Sequence, residues 1–383
     1  MITKIKNVVG LTGKDMELIM KKNTFAITAT LITLSLALTG CSKPANIAGG
    51  DNSDTYNLLN STVTSSATAS ETTSGAFNPL TGLYDLRESA QNARPTAVMV
   101  NNIAIAQTVQ TGLQDADIVY ETYAEGGITR LMAVYKDISV AEKIGTIRSA
   151  RYSYVELASG HDAIYVHAGT DPSYCKPFMT KLKMDDFDLN GGAPANYGRR
   201  ESNGLASEHT LYTSGAELAK GYKDLKRNTK VDSDHSGNWQ SFNKVDSPTV
   251  PSEGSASKLS VFMSKSYVSG FNYDTQAGMY NKTQNGSAHK DYATGKQISF
   301  KNVLVLFAKV TPFADNYHVK TELTSGTGYY VSQGGYETVN WSKNGTYGSI
   351  KLTTSSGGTV DYNAGTSWVC FVDKNNKNQV SFS

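Results

Sequence analysis

From Lys258 to Ser383 the chain consists of short runs rich in Val, Tyr, Thr and Phe, broken by Gly, Asn or Asp, and apolar residues at helical spacing are absent. Such a stretch buries an apolar face only by pairing strands. Residues 257–383 are therefore expected to form a small all-β domain, a sandwich or a barrel. Three dipeptides mark its turns: Asn344-Gly345, Asn285-Gly286 and Gly357-Gly358. Asn-Gly readily adopts the two positive φ angles of a type I′ hairpin, so the first of these predicts a two-residue loop. The rings of Tyr267, Tyr273, Tyr280, Tyr292, Trp341, Tyr347 and Trp368 are expected to pack as core rather than stack on sugars.

Residues 78–228 have a different texture. Strand-like runs at 97–100, 118–123, 128–135, 144–147 and 163–166 alternate with helical spacing at 149–158 and 172–182. Ser214-Gly215-Ala216-Glu217 reads as a capping box that opens a helix to about Leu225. This predicts an α+β (or α/β) N-terminal domain. Residues 229–256, rich in Ser, Asp, Asn and Pro, form a connector, and Trp239 and Phe242 imply that it packs on a domain.

The beginning of the chain concerns its address. Lys21 and Lys22 precede an apolar run, Phe25 to Leu38, that ends in Leu38-Thr39-Gly40-Cys41. That is the pattern of a lipoprotein signal over residues 1–40, with Met20 as the true start and Cys41 carrying the lipid, palmitate included. The chain would then be held on the extracytoplasmic face of the cell membrane. Between Ser42 and Phe77, 13 of 36 residues are Ser or Thr, so residues 41–77 are expected to be a flexible tether. Its reach is about 30–36 Å. Removing the five lysines and two acids of residues 1–40 takes the net charge from +2 to −1. A nucleic-acid binder would carry a basic field, so nucleic acid is not an expected partner. Cys175 and Cys370 are too isolated for a disulfide framework and are expected as buried free thiols.

The blocks NPLTGL (78–83), ARPTAVMVNN (93–102), ADIVYE (116–121), EGGITRLMAVY (125–135), KIGTIRSAR (143–151), DAIYVHAG (162–169) and LYTS (211–214) resemble the YerB-like lipoproteins. YDTQAGMYNKTQNG, HKDYATGKQISFKNVLV and GTSW resemble that family's C-terminal domain. The resemblance implies two domains and a surface lipoprotein of no established activity. It transfers no catalytic residue. The family pattern places Pro before and Asn after His209, where this chain has Glu208 and Thr210.

All eight arginines lie between Arg87 and Arg227. Arg148 and Arg151 straddle a predicted strand–helix junction, where Ser149 could cap and free N–H groups favour an anion. Their planar forks suit phosphate or carboxylate. With Arg130 on the preceding strand, and Arg199 and Arg200 in a polar stretch (190–204) long enough for a lid, they are the candidate ligand-binding set. The alternative is structural pairing with Glu121, Glu125, Glu142, Glu156 and Asp171. The local strand–turn–strand–helix pattern resembles the LytR-CpsA-Psr enzymes, whose arginines hold a lipid pyrophosphate. His167, Asp171 and His209 are the candidates for proton transfer or for a divalent metal. No HExxH, GxSxG or P-loop pattern occurs, and no cofactor is expected. The expected function is binding of an envelope component, an anionic glycopolymer or an extracytoplasmic protein, through an arginine-lined cleft. The alternative is an envelope hydrolase or transferase acting on a phosphorylated or carboxylated substrate.

Overall fold

The computed structural model describes residues 75–232 and 240–383, so the expectations for the signal, Cys41, most of the tether and Trp239 lie outside the described residues. Thr96–Asn101 (β1), Ile118–Tyr123 (β2) and Thr129–Tyr135 (β3) are buried at every position. Strands buried on both sides have no polar face to alternate, which is why they read as near-continuous apolar runs. β1 pairs antiparallel with β3 and parallel with Ile164–His167 (β4), which is parallel to Asp186–Asp188 (β5).

The C-terminal region, from Gly254 to Phe382, is all β apart from one 3-10 turn. Lys258–Ser264 (β6), Tyr267–Asp274 (β7) and Met279–Gln284 (β8) form an antiparallel meander. Asn302–Ala308 (β9), Ser325–Ser332 (β10), Gly335–Lys343 (β11), Ile350–Thr354 (β12), Ser367–Asp373 (β13) and Val380–Phe382 (β14) follow.

The expected fold classes of the two halves therefore both appear, with a join between them that their patterns do not reveal. β13 lies parallel to β9 on one side and parallel to β2 on the other. One eleven-stranded sheet thus runs β12-β11-β10-β9-β13-β2-β3-β1-β4-β5, with Gly254–Ser255 paired to β11. Trp368 faces Val303 across one ladder and Val119 across the other.

Alternate side chains of this sheet enter two cores. One face packs Ala97, Met99, Met132 and Phe371 with Tyr154, Ala158 and Met179 of the helices Tyr152–Gly160 (α1) and Cys175–Leu182 (α2). The other packs Val98, Leu131, Val119 and Trp368 with Leu218 and Tyr222 of Gly215–Asp224 (α3) and with Leu259, Phe271 and Tyr280 of the second sheet. β6 shows strict alternation of burial, as expected where one face meets a core. Among the described residues no helix is long and apolar enough to cross a membrane.

Local signals hold to differing degrees. Ser214 caps α3, its Oγ accepting from Glu217 N at 3.2 Å. Ser214→Ala is expected to cost about 1 kcal/mol, measured by urea denaturation, whereas a change below about 0.3 kcal/mol would show that the cap is idle. Asn285 and Gly286, with φ of 49° and 83°, join β8 to Ser287–Ala288 in a two-residue turn. Asn344-Gly345 does not make the expected two-residue loop. The ladder closes at Lys343 and Ile350, because the loop between them wraps its carbonyls, those of Gly345 and Thr346, around the buried Lys343 ammonium. Gly357 and Gly358 lie in a turn closed by a Thr353–Thr359 bridge. Tyr267, Tyr280, Trp341 and Trp368 are core, while Tyr292 and Tyr347 are exposed. Cys175 and Cys370 are both free and buried, and burial pushes the Cys175 thiol up to about 12.

Candidate functional site

β1, β4 and β5 run parallel and end together at Asn101, His167 and Asp188. In open α/β sheets that edge is where ligands bind. The loop following the two-residue strand Ile144–Gly145 passes over it, tied by Asn101 N to Thr146 O, Arg148 N to Met99 O and Ala150 N to Gly169 O. These bonds engage the backbone around Ser149, so α1 begins later than expected. Its N-cap is Arg151, without a side-chain cap, and not Ser149.

Arg151 of this loop and Arg130 of β3 converge on one acid. Arg151 grips the Glu125 carboxylate through Nε and Nη2, and Arg130 donates from Nη2 to Glu125 Oε1 at 2.8 Å. Arg130 also donates to Ser149 O at 2.6 Å. Burial alone would raise the Glu125 pKa, but the hydrogen bonds from Arg151 and the charges of both guanidinium groups outweigh it and hold the carboxyl at about 2. Burial, together with the charges of Arg151 and Arg148, pushes the Arg130 guanidinium down to about 10. Arg148 donates to Glu208 O at 2.9 Å, with the Glu208 carboxylate at 4.0 Å, and its buried Nε has no hydrogen-bond partner. Two guanidinium groups therefore share one buried carboxylate, with a third beside them on Glu208.

Arg200 reaches the same rim. It donates to Asn190 Oδ1 and Ser207 O, and the Asn190 amide and Ser149 Oγ flank Gly169. Arg199 does not. It pairs with Glu201, which also holds Lys143. The 190–204 stretch expected as a lid is pinned instead by the ladder between Arg199–Arg200 and Leu211–Tyr212.

The three candidates for proton transfer are engaged in structural bonds. His167 is fully buried between Gly169 O and Asp186 Oδ2. Asp171 accepts from the N–H groups of Ser173, Tyr174 and Cys175, which caps the start of α2. His209 bonds Asn101 and Glu208, and burial lowers its pKa. Among the described residues no three His, Cys, Asp or Glu side chains gather into a group that could hold a metal.

Of the acids expected as arginine partners, Glu125 serves two, while Glu121 serves none. Glu121 instead anchors a buried network at the β2–β13 junction. Its Oε1 accepts from Thr129 and Asn102, and its Oε2 from Ser269 Oγ at 2.6 Å and Trp368 Nε1 at 3.2 Å. Nearby, the wholly buried Lys282 ammonium donates to Thr283 O and Gln284 Oε1 and lies over the rings of Phe271 and Trp368. Periodicity does not reveal this network, because its members come from both halves of the chain.

Two family models match in tandem: the N-terminal domain of a protein of unknown function (DUF3048) over residues 80–229, and the C-terminal domain of the same family over residues 259–369. The chain is 33% identical over 239 residues to a protein of Bacillus subtilis named "Putative lipoprotein YerB", an alignment covering 60% of this chain and 66% of that one. It superposes on the crystal structure of YerB from Bacillus subtilis with a TM-score of 0.68 at 25% identity, over 80% of this chain and 99% of that one. With both domains matched in order, the chain belongs to the YerB-like DUF3048 family of proteins of unknown function.

Proposed function

We propose that this protein is a non-catalytic envelope lipoprotein whose N-terminal domain binds an anionic group of an envelope component at the arginine centre. The reading rests on one observation: Arg130 and Arg151 share a single carboxylate, Glu125, at the C-terminal edge of the parallel strands, and the charge of Arg148 also bears on Arg130. Uncompensated positive charge in a dry setting favours a further anion. Glu125 occupies the clamp as a ligand carboxylate would, and Gly126-Gly127 behind it, with φ of 65° and 74°, adjoin open space. The engagement of His167, Asp171 and His209 in structural bonds favours binding over catalysis.

The full chain, titrated calorimetrically with a uronic-acid oligomer and with inorganic phosphate, is expected to bind one of them. Arg148→Ala should weaken that binding about 10- to 100-fold, the equivalent of one charge-assisted hydrogen bond. Its melting temperature should barely change, because Arg148 carries no close ion pair. Equal affinity of the two proteins for both probes would remove the arginine centre from the binding site.

A further inference from the structure

A second basic site lies at the opposite end of the same strands. β1 and β4 begin there at Thr96 and Ile164, and Lys136 follows the end of β3. Around these residues opens a cleft of about 420 Å³. That is within the range of small-ligand pockets, about 300–1,000 Å³. Six cationic side chains line it, Arg87, Arg94, Lys136, Lys223, Lys226 and Arg227, against one lining acid, Asp137.

The cations fall into two groups. The first is fixed. Arg94 is braced by Asp162 and Asp185, and Arg227 shares Asp185, both acids standing outside the cleft. Arg87 forks onto both oxygens of Asp137, and Lys136 Nζ is held by the carbonyls of Ala90, Gln91 and Ala93. These contacts fix where the charges stand before a ligand arrives, which reduces the ordering cost of binding. The second group is free. Lys223 and Lys226 are exposed, at the end of α3 and just beyond it, and among the described residues neither makes an ion pair, Asp224 acting on Lys223 only at longer range. Among the described residues three acids, Asp137, Asp162 and Asp185, stand within ion-pair distance of these six cations, with Asp117 and Asp224 acting on Lys136 and Lys223 from farther off.

The floor adds a second kind of contact. Ile164, Ile138 and Ala219 present carbon, while the Thr96 and Tyr222 hydroxyls bond to each other at 3.2 Å. A cleft with fixed cations, free lysines on its rim and a partly apolar floor suits a ligand whose charged groups alternate with short carbon units. We propose that this cleft binds the phosphodiester groups of a polyol-phosphate ligand, independently of the arginine centre. The phosphate oxygens would sit against Arg87, Lys223 and Lys226, and the polyol carbons against the floor. A lipid headgroup such as phosphatidylglycerol carries the same glycerol phosphodiester. A concave site favours a linear chain over a flat bilayer.

The test uses the full chain in detergent, a glycerol-phosphate oligomer, and vesicles of phosphatidylcholine with and without phosphatidylglycerol. Lys223→Glu combined with Lys226→Glu changes two exposed side chains and leaves the core untouched. We expect wild type to bind the oligomer at low salt and the double variant to bind it at least tenfold more weakly. Charge-sensitive binding to phosphatidylglycerol vesicles alone would support the site with the membrane as the source of the phosphodiester. The proposal is overturned if wild type binds neither probe, or if the double variant binds as tightly as wild type. A loss of oligomer binding on Arg148→Ala with the double variant unaffected would assign the phosphodiester to the arginine centre and overturn it equally.

Discussion

Glu121→Leu is expected to lower the stability of the folded chain by about 3–5 kcal/mol, the usual cost of breaking a buried charged network from one side. Glu121 is fully buried and accepts hydrogen bonds from Asn102, Thr129, Ser269 and Trp368. An apolar replacement orphans all four donors and removes the negative charge that favours the Lys282 ammonium. Lys282 itself is held down at about 8, chiefly by burial. Between pH 8 and 10.5 the unfolded chain therefore binds more protons at this lysine than the folded one does. Through this group stability rises with pH across that window, and Lys282→Met should lack the rise. The double variant Glu121→Leu/Lys282→Met is expected to regain a large part of the Glu121→Leu loss, because no unpaired charge remains. Guanidinium denaturation of the four proteins measures the coupling. Additivity within about 0.5 kcal/mol would show that the two side chains do not sense each other.

That network also explains how far the sequence could be read. The central strands were legible because a strand covered on both faces must be apolar throughout, as VYE and LMAVY nearly are. The same logic marks WVCFV as a buried strand, but the pattern says nothing of its neighbours. That β13 enters between β9 and β2 is decided by pairing across 250 residues of chain, and Glu121, in a run that otherwise reads as apolar, is the polar trace of that junction. The start of α1 was misplaced for a related reason: Ser149 has the chemistry of a cap, but Met99, Gly169 and Arg130 claim the backbone around it first. In the arginine centre, the residue types and Glu125 as a partner were legible, while the sharing of one carboxylate between Arg130 and Arg151 was not. The basic cleft was hidden because Arg87 and Arg94 open the domain and Lys223, Lys226 and Arg227 close it, and the pairing of Ala93 with Lys230 and the bond from Arg94 to Asn228 O bring the two ends together.

Glu125→Gln should cost about 3 kcal/mol at neutral pH, and the loss should disappear in acid. The Glu125 carboxyl is lowered from 4.5 to about 2 in the folded protein. A carboxylate depressed in this way stabilises the fold fully above its unfolded pKa, and its contribution is lost as pH falls from about 4.5 towards 2. A shift of that size corresponds to about 3 kcal/mol. Glutamine keeps the shape but not the charge, leaving Arg130, 2% exposed, and Arg151 without their counter-ion. Urea denaturation at steps from pH 7 to about pH 2 should therefore show wild type losing stability more steeply than Glu125→Gln, with the two curves converging at the acid end. Curves that stay parallel would mean that Glu125 carries no special load, and that Arg130 and Arg151 are neutralised by some other route. Convergence would establish that an anion is required in the clamp at neutral pH. It would also define what a ligand must offer to take that place, a carboxylate or phosphate able to meet Arg130 and Arg151 at least as well as the protein's own side chain does.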